Sequence, residues 1–195
     1  MELQALAGDS YRRLAELLRE QDAARWDSRS LCAGWRIREL IAHVTMPARY
    51  TAEQFVRELA AVDGDFTVLS NLIAARDAEL SIEELLADLT SPVLASWQPP
   101  GGGAIGALNH VVVHGLDASN ALGLPRTCSD EAARTILDDL AGGGAERYGA
   151  RLAGLQLVAD DLDWQWGSGQ PVTGSAAELI SLVCNRTLID GRSLH

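Results

Sequence analysis

Apolar residues recur at helical spacing along most of the chain, and the elements can be read from that recurrence. Residues 3–19 place Tyr11, Leu14, Leu17 and Leu18 on one face, the pattern of an amphipathic helix. The stretch from Gln21 to Gly34 is polar and reads as a connection, with Trp26 and Trp35 close by. A second helix starts near Trp35, where Ile37, Leu40, Ile41 and Val44 follow the i, i+3, i+4, i+7 pattern. His43 stands at the edge of that apolar stripe. Pro47 predicts a kink, beyond which the same helix runs on through Tyr50, Phe55 and Leu59. A third helical region covers about 66–79. Ser81 and Glu84 form a capping-box signature ahead of Leu85, Leu86 and Leu89, and Pro92 interrupts or bends that helix.

Pro99-Pro100-Gly101-Gly102-Gly103 is a loop. It lacks the Lys-Ser/Thr of a phosphate-binding loop and reads as a connector. The helix expected over 104–122 is apolar nearly all round, which belongs in a core, and Gly123 and Pro125 supply its stop. Yet His110, His114 and Asp117 line one side of it. After Pro125 the texture changes. Ser129 to Leu140 looks helical, Gly142-Gly143-Gly144 breaks it, and Leu155 to Ala159 and Asp163 to Trp166 read as short strands. Ser175 and Glu178 give another capping box before a helix through Leu179, Ile180, Leu182 and Val183. The expected architecture is mainly α: a helical bundle over residues 1–125 with a small α/β domain over 126–195.

A chain of 195 residues can bury one sizeable core, or a main domain plus a small companion. The formal net charge of −11 argues against a nucleic-acid or anionic-membrane surface, which needs basic residues to displace counterions. All 16 basic residues are arginine, so a lysine Schiff base is excluded. No stretch approaches the ~20 apolar residues of a membrane span, and residues 1–9 lack the basic and apolar regions of a secretion signal. Cys32, Cys128 and Cys184 are odd in number and widely spaced, which fits reduced thiols in a cytoplasm better than a disulfide framework.

His110 and His114, at i and i+4, project from the same side of a helix with Cβ atoms about 6 Å apart. That spacing lets two imidazoles share one metal ion. Val111-Val112-Val113 lies between them, so no helix-borne glutamate serves as a base and a zinc protease is excluded. A third ligand must come from another helix. Of the four histidines, His195 is terminal and His43 is the remaining internal one. Three neutral imidazoles would leave an ion its full charge and an open fourth position. Zinc suits such a set best, and nickel, iron or manganese are accepted by imidazole as well. On spacing alone two readings stand, a metal site and a hydrogen-bonded core, but two histidines and an aspartate in one buried stripe are costly unless satisfied.

The segment Cys32-Ala-Gly-Trp-Arg-Ile-Arg-Glu-Leu-Ile-Ala-His43 resembles the first motif of the mycothiol-dependent maleylpyruvate isomerase family, among the DinB-like metal-binding helical bundles. His110-Val-Val-Val-His114-Gly-Leu-Asp117 followed by Ala121-Leu-Gly-Leu-Pro125 is similar to its second motif. Gly169-Gln-Pro-Val-Thr-Gly174 and Ala177-Glu-Leu-Ile180 resemble its C-terminal one. The resemblance implies a four-helix bundle with a small C-terminal α/β domain, metal ligands at His43, His110 and His114, and mycothiol as co-substrate. In the isomerase itself a glutamate takes the position of His110. The implied activity is an isomerase or S-transferase in which a metal-activated thiolate attacks a small electrophile. Asp117 could orient a ligand imidazole. Arg49, or Arg186 or Arg192 near the C-terminus, could meet a dicarboxylate. Cys32 reads as a structural thiol and Trp35 as core. The alternatives are a non-catalytic metal-binding sensor or regulatory protein of the same fold, and a metal that only staples the bundle.

Overall fold

A computed structural model describes residues 2–194, so an expectation touching His195 lies outside the described residues. The first amphipathic stretch forms α1 (Leu3–Arg19), which buries Leu6, Tyr11, Leu14 and Leu18. The polar connection after it contains one short helix, α2 (Ala23–Trp26), capped by the Asp22 carboxylate on the Arg25 amide. The long kinked helix expected around Pro47 is instead three helices: α3 (Ile37–Val44), α4 (Met46–Arg49) and α5 (Ala52–Ala60). Two causes separate them. Pro47 sits in the first turn of α4, where its missing N–H costs nothing. Thr51 and Gln54 form a reciprocal capping box that starts α5 afresh.

The third region is α6 (Phe66–Asp77). The Ser81–Glu84 capping box forms as expected and opens α7 (Ile82–Leu89). Pro92 begins the short α8 (Pro92–Ser96) rather than breaking a longer helix. After the proline-glycine loop comes α9 (Gly103–Leu122), which ends at Gly123 with φ +64°, a left-handed stop that suits glycine. Beyond it lie α10 (Asp130–Ala141), a 3-10 turn over Gly144–Tyr148, β1 (Leu155–Ala159), β2 (Gln165–Gly167), β3 (Gln170–Gly174) and α11 (Ala176–Val183). The sheet order is β2-β1-β3, with β1 antiparallel to β2 and parallel to β3. The third strand coincides with the segment read only as a motif, because a proline and two flanking glycines hide its alternation.

The bundle is built from α1, α3, α7 and α9, with α6 laid against α3 and α8 against α1. Its core passes without interruption from Leu6 and Leu40 through Val112 and Leu116 to Ile136, Leu157 and Ile180. The C-terminal elements therefore share the apolar interior of α9. No described helix is long and apolar enough to cross a membrane.

Candidate metal centre

His43 lies in the last turn of α3, and His110 and His114 lie on successive turns of α9. The two helices pack together, and the three imidazoles meet in the seam. Ring centroids are 5.2 Å apart for His43–His110, 5.0 Å for His43–His114 and 5.2 Å for His110–His114. The planes are steeply inclined, at 66°, 85° and 86°. One ring nitrogen from each histidine lies within 4.8 Å of the other two.

Each ring is also held from its far side. The His43 Nδ1 is 2.9 Å from the Ser70 hydroxyl on α6, and the His110 Nδ1 is 3.5 Å from the Tyr11 hydroxyl on α1. The His114 Nδ1 is 3.0 Å from the Asp117 carboxylate one turn along α9. An ionised carboxylate only accepts, so His114 carries its proton on Nδ1 and presents the Nε2 lone pair. The Nε2 atoms of His43 and His110 face each other at 3.3 Å. Anchored Nδ1 atoms with convergent Nε2 atoms are the arrangement that orients imidazole ligands around a cation.

Electrostatics agree with that use. Burial, with the neighbouring His114 and His110, holds His43 well below the ordinary imidazole pKa. Burial and His114 bring His110 down to about 3. Both rings are therefore neutral near pH 7, the form that donates a lone pair. Between metal-free neutral rings, at most one N–H···N bond can link two of the three inward nitrogens. A divalent cation would satisfy all three. The donor set thus fits an ion that prefers imidazole.

Asp117 is fully buried. Burial disfavours its charge, but hydrogen bonds from His114 and Arg186 outweigh that and hold its carboxyl below the usual range. Arg186 spans both carboxylate oxygens, Nε to Oδ1 at 2.8 Å and Nη2 to Oδ2 at 2.9 Å. The same guanidinium lies 4.0 Å from the Cys32 sulfur. Cys32, His114 and Asp117 form a second close group. The Cys32 thiol is nevertheless pushed up to about 11, chiefly by burial, so it stays protonated near neutral pH.

The other arginines singled out by sequence are engaged by acidic partners. Arg49, on α4, has Nε 2.9 Å from Asp77, and its Nη atoms reach Asp88, Thr45 and the carbonyl of Ala42. Arg192 is paired with Asp190 and Glu178. Three aromatic residues stand beside the imidazoles. The Trp35 ring is 4.8 Å from His43, Trp97 is 5.2 Å from His110, and Phe66 is 6.5 Å from His43. The apolar pattern puts Trp35 in the core and marks none of Ser70, Tyr11, Phe66 and Trp97 as a site residue. Ser70 beside Leu69 and Tyr11 on the apolar face of α1 each carry a local sign of burial, but none of the ring that each meets.

A model of the mycothiol maleylpyruvate isomerase N-terminal domain matches residues 7–98. No curated protein matches the chain by sequence. Two solved structures resemble its fold: the mycothiol-dependent maleylpyruvate isomerase and a histidine-to-alanine mutant of it. The alignment to the former has 17% identity and a TM-score of 0.54, covering 98% of this chain and 95% of that one. The mutant aligns with 18% identity and the same TM-score and coverage.

Proposed function

We propose, from the match of residues 7–98 to the mycothiol maleylpyruvate isomerase N-terminal domain model, that the chain is a metal-dependent enzyme using mycothiol as its thiol. It would act as an S-transferase or isomerase on a small electrophile. The observation that carries this reading is the convergence of His43, His110 and His114, each with its outer nitrogen beside a separate hydroxyl or carboxylate.

His43, His110 and His114 would hold one divalent ion, for which zinc is the best match to three imidazoles. Such an ion supplies Lewis acidity, keeping a bound thiol in its reactive thiolate form near neutral pH. The protein's own part is positional. Asp117 fixes the tautomer and plane of His114, and Arg186 keeps Asp117 ionised inside the core. Ser70 and Tyr11 set the other two rings. We assign Arg49 a role one step removed: its bonds to Ala42, Thr45, Asp77 and Asp88 tie down the end of α3 that bears His43. The histidine at position 110, where the isomerase resembled by this sequence has a glutamate, leaves the ligand set uncharged. The ion would keep its full double charge for an incoming thiolate.

The test is turnover by zinc-loaded protein with mycothiol and a panel of small electrophiles, followed by mass spectrometry. A thioether or isomerised product that requires both metal and thiol is expected. Metal-loaded protein that shows no thiol dependence across the panel would contradict the enzyme reading.

A further inference from the structure

We propose that the electrophile taken by this site is neutral and apolar, with an aromatic or similarly flat carbon skeleton, rather than a dicarboxylate. The inference rests on the thiol-enzyme reading above and names its substrate class. Its first support is the aromatic collar. Trp35, Phe66 and Trp97 come from three separate segments, yet all stand within 4.8–6.5 Å, centroid to centroid, of a candidate ligand ring. Trp35 donates its indole N–H to Asn71 at 3.0 Å, which occupies its polar edge, and its ring is half-buried beside the imidazoles. Phe66 is 49% exposed although it lies beside the buried His43. Phe55 extends the apolar surface outward, its ring 6.2 Å from that of Phe66. Rings placed this way recognise flat apolar groups by stacking or edge contact.

The second support is the state of the cations. A dicarboxylate entering a partly desolvated site needs guanidinium partners to replace its water. Each arginine suggested by sequence already has carboxylates. Arg186 is spent on both oxygens of Asp117. Arg49 meets Asp77 and Asp88 together, and Arg192 meets Asp190 and Glu178. Freeing Arg186 for substrate would strand the buried Asp117 charge behind His114. The net charge of −11 adds no long-range attraction for an anion.

Two small thiols of opposite character test the claim without requiring turnover. Benzyl mercaptan is neutral and aromatic; mercaptosuccinate carries two carboxylates. Their equilibrium binding to zinc-loaded protein would be measured by calorimetry, with zinc content determined on the same samples. Benzyl mercaptan should bind at least about tenfold more tightly. Phe66→Ala and Trp97→Ala should erode that preference with zinc content unchanged, and Phe66→Arg should move it toward mercaptosuccinate. Equal or tighter binding of mercaptosuccinate to the loaded protein would overturn the substrate class alone. So would a preference indifferent to Phe66 and Trp97. Failure to load zinc, or loaded protein that binds neither thiol, would overturn the thiol-enzyme reading and this inference with it.

Discussion

At His114 a single ring nitrogen decides whether the imidazole can serve a metal. Asp117 holds Nδ1, and Arg186 holds Asp117 in turn. Asp117→Asn keeps the size but removes the charge and leaves Arg186 without its ion pair. Zinc affinity should fall about 10–100-fold, measured by competition with a chelator; an unchanged affinity would mean that the carboxylate does not orient the ring. The depressed histidines make a second residue-scale prediction for metal-free protein. An unfolded histidine titrates near 6.5, whereas folded His110 titrates at about 3 and His43 well below its ordinary value. Between those limits the unfolded chain binds more protons, so their contribution is complete above about pH 6.5 and is lost as pH falls. Stability should fall from pH 6.5 toward pH 4, by at most about 1.4 kcal/mol per pH unit for each ring, and the melting temperature should fall with it. Protonation of Asp117, whose folded value is lowered, adds a loss in the same direction at more acid pH. His110→Gln should flatten the slope, and a profile with no slope between pH 6.5 and 4 would contradict the buried neutral rings. The three histidines were legible because i, i+4 spacing and an edge-of-stripe position are local signals. Ser70 and Tyr11 were not, because they reach their rings across 27 and 99 residues of chain, a separation that only tertiary packing closes.

Among the elements, α9 carries most of the site, and its packing leaves little slack. A Cβ built on Gly115, the residue after His114, would lie 2.5 Å from the Thr127 Oγ1. Thr127 is fully buried and β-branched, so it has little freedom to yield. Gly115→Ala should cost about 1–3 kcal/mol, read as a lower midpoint in urea with an unchanged slope. A neutral result would mean that α9 and the Thr127 segment can slide apart. Helices with a clear apolar stripe or a capping box were readable to within a residue or two: α1 from its spacing, α7 and α11 from Ser81 and Ser175. The stretch around Pro47 was not. Periodicity continues across it, but Pro47 and the Thr51 cap impose breaks that the apolar pattern does not register. The strand β3 escaped for the opposite reason, since Pro171 sits where an alternating residue would have announced it.

Over the whole molecule, one core runs from α1 to α11, and the candidate centre sits where α3 and α9 cross within it. An ion held by both helices binds the folded chain and not the unfolded one. At a free concentration about 1,000 times its dissociation constant it would add about 4 kcal/mol. For a chain of this size each kcal/mol raises the melting temperature by about 2–4 °C. Chelation should therefore lower the melting temperature by roughly 8–16 °C, and no shift would mean that no ion bridges the two helices. The mainly helical class and the small C-terminal sheet followed from periodicity and turn residues. The aromatic collar did not, because Trp35, Phe66 and Trp97 converge only once α3, α6 and α8 are docked.

The most direct measurement is the metal content of the purified chain by elemental analysis, beside His43→Ala and His114→Ala variants whose folding is checked by circular dichroism. About one divalent ion per chain is expected after zinc reconstitution, and it should be lost in both variants while their helices remain. A folded, reconstituted protein that retains no metal, or variants that bind it as well as the parent, would contradict a metal centre at His43, His110 and His114.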